Sequence, residues 1–129
     1  MLLRMRIYDT MTNQIRDLEP KDPHKVSIYA CGPTVQDVPH LGHARTALTY
    51  DVLKRYLVWA GFEVFLVSNI TDIDDKIINR ALAEGVSEDE LAQTYANIHI
   101  EQLRNFGIKD PDERPRATQF IQQMISIIE

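Results

Sequence analysis

Val26-Ser27-Ile28-Tyr29-Ala30, running into Cys31-Gly32-Pro33-Thr34-Val35-Gln36-Asp37-Val38-Pro39-His40-Leu41-Gly42-His43, is the stretch that decides the fold. Its first five residues are mostly β-branched or aromatic and lie between Pro23 and Gly32, the pattern of a short buried strand. Over residues 44–60, Ala47, Leu48, Val52, Leu53, Tyr56, Leu57 and Ala60 recur at helical spacing, and Gly61 stands where a left-handed C-terminal cap belongs. Residues 62–68, Phe-Glu-Val-Phe-Leu-Val-Ser, read as a second strand. Strand, loop, helix and strand in this order make a parallel βαβ unit, so the fold class is α/β. The crossover of such a unit is right-handed, and its functional loop lies outside the carboxyl end of the first strand. Residues 31–43 are that loop.

The loop carries chemistry suited to a nucleotide. The first-turn amides of a helix starting at Ala44 lack internal partners and together carry about half a positive charge, which attracts phosphate oxygens. Gly42 allows close backbone approach to a ligand, while His40 and His43 flank it and can each give an N–H to charge on a phosphoryl group. A bare His-x-Gly-His is a weak pattern, and the two histidines could equally be a helix cap and a packed side chain. Its place after a strand and at a helix start strengthens the functional reading. Cys31 is the only cysteine, which excludes an internal disulfide; taken alone, it is more simply a structural thiol than a metal ligand.

The rest of the chain reads coarsely. Residues 4–9 and 13–17 fit a small antiparallel hairpin turning at 10–12. Residues 72–84 read as a helix ended by Gly85, with Asp72, Asp74 and Asp75 as acids in its first turn. These acids do not form an EF-hand, because Lys76 occupies its fifth position and Ala83 its twelfth. Ser87-Glu88-Asp89-Glu90 has the capping-box pattern and opens a helix through Phe106, stopped by Gly107. Residues 109–115 read as a charged, proline-bearing connection; a last amphipathic segment, 118–128, puts Phe120, Ile121, Met124, Ile125 and Ile128 on one side. His24 and His99 are most simply solvated or partly packed. The 129 residues carry a net charge of −5, which argues against a free-standing nucleic-acid binder. With no signal-like or membrane-length apolar run, the expected setting is cytoplasmic, with no membrane partner.

His40-Leu41-Gly42-His43 resembles the HIGH signature of class I aminoacyl-tRNA synthetases, and residues 29–35 through 43–46 resemble cysteinyl-tRNA synthetases in particular. The likeness continues through Asn69-Ile70-Thr71-Asp72-Ile73-Asp74-Asp75-Lys76-Ile77-Ile78 and Glu113-Arg114-Pro115-Arg116-Ala117-Thr118. The resemblance implies the first part of a Rossmann-like, HIGH-type nucleotide-binding fold, a parallel βαβ unit followed by helices. It divides the chain into a hairpin region at 1–24, a nucleotide-binding core at 25–84 and a helical segment at 87–129 leading into the family's insertion. The implied activity is a cysteine-tRNA ligase: cysteine and ATP, with magnesium, give cysteinyl-adenylate, and the cysteinyl group passes to tRNA(Cys). His40 and His43 take the catalytic and ATP-holding roles with Thr34 and Gly42; Gly32 and Thr71 fall near the substrate; Cys31 matches the first zinc ligand. A soft thiolate suits zinc, so the family's metal distinguishes cysteine from serine.

The family's other zinc ligands, a cysteine, a histidine and a glutamate, and its lysine-rich loop have no counterpart here. The chain is therefore expected to be incomplete as a catalyst, needing the missing C-terminal part of the catalytic domain. Other readings are a small His-x-Gly-His nucleotidyltransferase, an inactive remnant or half of a split enzyme, and the related cysteine ligase of mycothiol synthesis. The first needs more strand and helix pairs after Thr71, where the sequence offers helices. Arg45 and Lys76 look more like the tRNA enzyme than the mycothiol ligase.

Overall fold

The computed structural model describes residues 5–129. An N-terminal hairpin pairs β1 (Arg6–Asp9) antiparallel with β2 (Gln14–Asp17), close to expectation; the expected start at Arg4 lies outside the described residues. Asp9 organises its turn by accepting from the Met11 N–H at 3.0 Å and the Thr12 hydroxyl at 2.8 Å. The central unit is β3 (Lys25–Ala30), α1 (Leu41–Trp59) and β4 (Glu63–Ser68). β3 and β4 pair in parallel from Lys25 opposite Glu63 to Ala30 opposite Ser68, which establishes the α/β class with a parallel sheet.

α1 begins three residues before the expected Ala44, because His40 supplies its N-cap and the signature itself is the first turn. Of its expected core stripe only Leu57 is buried; Leu48, Val52 and Tyr56 are exposed, because the helix packs mainly on the single strand β4. α2 (Asp75–Glu84) is capped by Asp74, which accepts from the Lys76 N–H at 2.9 Å, and ends at left-handed Gly85. α3 (Glu88–Asn105) starts at Ser87, whose hydroxyl accepts from the Glu90 N–H, and its chain turns away at left-handed Gly107. A 3-10 turn (Ala117–Phe120) leads into α4 (Ile121–Ile128), and Phe120 of the turn with Met124, Ile125 and Ile128 of the helix is exposed. Among the described residues no helix is long and apolar enough to cross a membrane.

Two expectations are corrected. The connection at 109–115 includes an extended segment along the free edge of β4. The Asp112 N–H donates to the Leu66 carbonyl, Ser68 N–H to Glu113 and Ile70 N–H to Pro115, at 2.8–3.0 Å. Pro111 and Pro115 concealed this from the sequence, yet at an edge a proline needs only its carbonyl. Asp72 is the second correction: it is not in the first turn of α2 but 7% exposed. Its carboxylate accepts from the Thr118 N–H at 3.0 Å and the Thr118 hydroxyl at 2.7 Å, fastening the 3-10 turn to the end of β4. Asp72→Ala leaves the Thr118 groups unpaired and is expected to cost roughly 2 kcal/mol in urea unfolding. A loss within about 0.5 kcal/mol, the range of an ordinary surface change, would contradict that role.

Val35 and Ile70 join Ile77, Ala81, Leu91, Ala92 and Ala96 in one buried cluster, with Tyr95 and Ile100 against it. The cluster ties the loop after β3 to α2 and α3. Arg80 reinforces the tie by reaching Asp37 at 2.7 Å, Glu84 at 2.6 Å and the Tyr95 hydroxyl at 3.0 Å. The first half of the signature loop is thus held before any ligand arrives.

Candidate active site

The histidine turn is a reciprocal cap. His40 Nδ1 accepts from the Gly42 N–H at 3.1 Å, and His43 Nδ1 accepts from the His40 N–H, also at 3.1 Å. The rings lie 4.0 Å apart, tilted by 36°. A neutral imidazole that accepts at Nδ1 carries its proton at Nε2, so the hydrogen-bond network assigns both rings the Nε2–H tautomer. This changes the expected source of phosphate contacts. The His43 and Ala44 amides go to the His40 carbonyl at 2.9 and 3.4 Å and the Gly42 amide goes to the His40 ring, so three of the first-turn amides are taken and the two Nε2–H groups stand as donors at the turn. Gly42 serves differently from expectation as well: a Cβ there would stand 2.8 Å from His40 Cε1, so glycine makes room for the ring rather than for a ligand.

A cavity of about 310 Å³ lies at the carboxyl end of β3 and β4. Cys31, Gly32, Thr34 and His43 all line it, together with Asn69, Asp51, His99, Lys109 and Arg114. His40 instead lines a smaller groove beside Pro39, Gln102 and Phe106, while Gly42 and Thr71 line neither. Thr71 acts on the loop backbone: its N–H donates to Pro33 at 2.9 Å, its carbonyl accepts from Val35 at 3.2 Å, and it bridges Thr34 in parallel. Asn69 Oδ1 accepts from the Gly32 N–H at 2.8 Å and its amide donates to the Thr71 hydroxyl at 3.3 Å.

Cys31 is exposed, and among the described residues no group of three His, Cys, Asp or Glu side chains could hold a metal ion. These residues offer one thiol and do not make a zinc site unaided.

His99, Asn69, Asp51 and Arg114 were not singled out from sequence. A signal for His99 existed: it lies four residues from Tyr95 and from Leu103, on the stripe of α3 that carries buried Leu103. It is 7% exposed, so the solvated or partly packed reading is corrected. Burial, then His43 and Arg114, push His99 down to about 4; burial and His40 lower His43. Both groups bind protons more readily when unfolded, so each contributes stability that is present above pH 6.5 and lost as pH falls. The expected melting temperature therefore falls between pH 6.5 and about 4, before the lowered carboxylates Asp37, Asp110 and Asp112 contribute below 3.8. In a His99→Phe variant most of the upper fall should vanish; an unchanged pH profile would contradict the assignment.

Residues 17–129 match the family model described as the tRNA synthetases class I (C) catalytic domain, and the chain belongs to that family. The relatives it resembles are cysteine-tRNA ligases: that of Thermodesulfovibrio yellowstonii is 47% identical over 97% of this chain and 26% of the relative. Those of Thermococcus gammatolerans and Helicobacter pylori (strain HPAG1) are 45% and 46% identical over 98% and 97% of the chain, and 26% and 27% of theirs. The chain thus spans about a quarter of the length of the curated relatives it matches.

Proposed function

We propose that this chain is the ATP-binding first part of a cytoplasmic cysteine-tRNA ligase, built as the opening half of a Rossmann-like fold, with 87–129 leading into an insertion. The observation that carries the reading is the reciprocal histidine cap beside a cavity that Cys31 and Thr34 also line. The cysteine carboxylate attacks the α-phosphorus of ATP, the bond to pyrophosphate breaks, and cysteinyl-adenylate forms. The terminal ribose hydroxyl of tRNA(Cys) then attacks the cysteinyl carbonyl and releases AMP. His40 and His43 act as N–H donors to phosphate oxygens as charge builds there, so the chain needs no nucleophile of its own. Thr34 contacts ATP, Gly32 lets the loop approach cysteine, and Thr71 positions that loop from behind. Cys31 contributes one zinc ligand, with the others from chain beyond this one; magnesium accompanies ATP.

The test is cysteine-dependent exchange of labelled pyrophosphate into ATP. The chain alone is expected to give none, and addition of the downstream part of the catalytic domain should produce it. Failure of the combined, folded parts to exchange with cysteine would overturn the reading.

A further inference from the structure

We propose, on the functional reading above, that His99 is a positioning residue for His43, holding from α3 the ring that meets the phosphate. The two rings pack T-shaped, with centroids 5.7 Å apart and planes at 83°. Both line the cavity beside Cys31 and Thr34. The His43 ring is therefore contacted on three sides: His40 donates its N–H to Nδ1, the His40 ring leans on it, and His99 closes the side facing α3. The first two contacts come from within the turn and move with it. His99 fixes the ring against a separate helix, 56 residues further along the chain, which is what an orientation held through the reaction requires. Leucine serves the same stripe of α3 one turn later, at Leu103, so apolar filling alone did not require an imidazole here. An aromatic ring offers a defined edge-to-face geometry that an aliphatic side chain does not. His99 stays uncharged over the working range, since burial, His43 and Arg114 all oppose its protonation. It thus presents an uncharged ring to the neutral His43 imidazole. The other charged groups around this cavity are Asp51, held by Arg55 at 2.6 Å, and Lys109.

The test compares His99→Ala, which removes the ring, with His99→Phe, which keeps one. In the present chain, proton NMR should show the His43 ring signals displaced in His99→Ala and largely retained in His99→Phe. In the complete protein, kcat for cysteine-dependent pyrophosphate exchange should fall about tenfold in His99→Ala, with KM for ATP and cysteine within about twofold, and His99→Phe should restore most of it. Unmoved His43 signals in His99→Ala overturn the proposal, as does a fall in melting temperature with kcat unchanged. If the unsubstituted complete protein shows no exchange, the functional reading fails, and the NMR comparison still decides whether His99 sets the His43 ring.

Discussion

Gly32→Ala is expected to destabilise the chain by about 3 kcal/mol or more, enough to leave much of it unfolded at ambient temperature. A Cβ at this position would overlap the Asn69 carbonyl oxygen and crowd its carbon at 2.6 Å, and these are backbone atoms that no rotamer change can move. Relief requires β3 and β4 to part at their carboxyl ends. That motion also breaks the bond from the Gly32 N–H to Asn69 Oδ1 and leaves a part-buried amide unpaired. Gly85→Ala and Gly107→Ala are the controls. Both sites have positive φ with open space around them, so each should cost only about 1–2 kcal/mol of left-handed strain. Urea unfolding of the three variants ranks them; a Gly32→Ala loss no larger than the controls would show that the strand ends are not in contact.

His43→Ala in the complete protein is expected to lower the rate of adenylate formation by about a hundredfold to a thousandfold, with little change in cysteine binding. The effect falls on the rate because the phosphate charge met by Nε2–H grows in the transition state. His40→Ala should act similarly and also cost about 1 kcal/mol of stability, since it removes the acceptor for the Gly42 N–H. The rings hold one another, so the double variant should lose less than the product of the two single effects. If both substitutions raised only the apparent KM for cysteine and left the rate untouched, the donor role would be wrong.

The elements that position this site were legible where local sequence alone decides them. The β-branched run at Val26 to Ala30, the helical spacing after it and the glycines at Gly61, Gly85 and Gly107 gave the βαβ unit and the helix ends. What stayed hidden depends on contacts distant in sequence. Asp72 looks like a helix-start acid until Thr118 is brought to it from 46 residues away. Residues 112–117 look like a loop because of their charges and Pro115, yet Pro115 sits where the edge pairing uses only its carbonyl. The histidine pair was legible as a site and as a pair of N–H donors, but which ring nitrogen carries each proton was not. Sequence also suggested free first-turn amides, whereas His40 takes those of Gly42, His43 and Ala44. Likewise the role of Gly42 emerges only when the His40 ring is seen folded over it.

That tautomer assignment is the central claim, and long-range proton–nitrogen NMR of the imidazole-labelled chain at neutral pH tests it directly. The reciprocal cap predicts that His40 and His43 both show Nε2 protonated and Nδ1 bare, with the Nε2 signals moving when ATP is added. Either ring protonated at Nδ1, or Nε2 signals indifferent to saturating ATP, would contradict it.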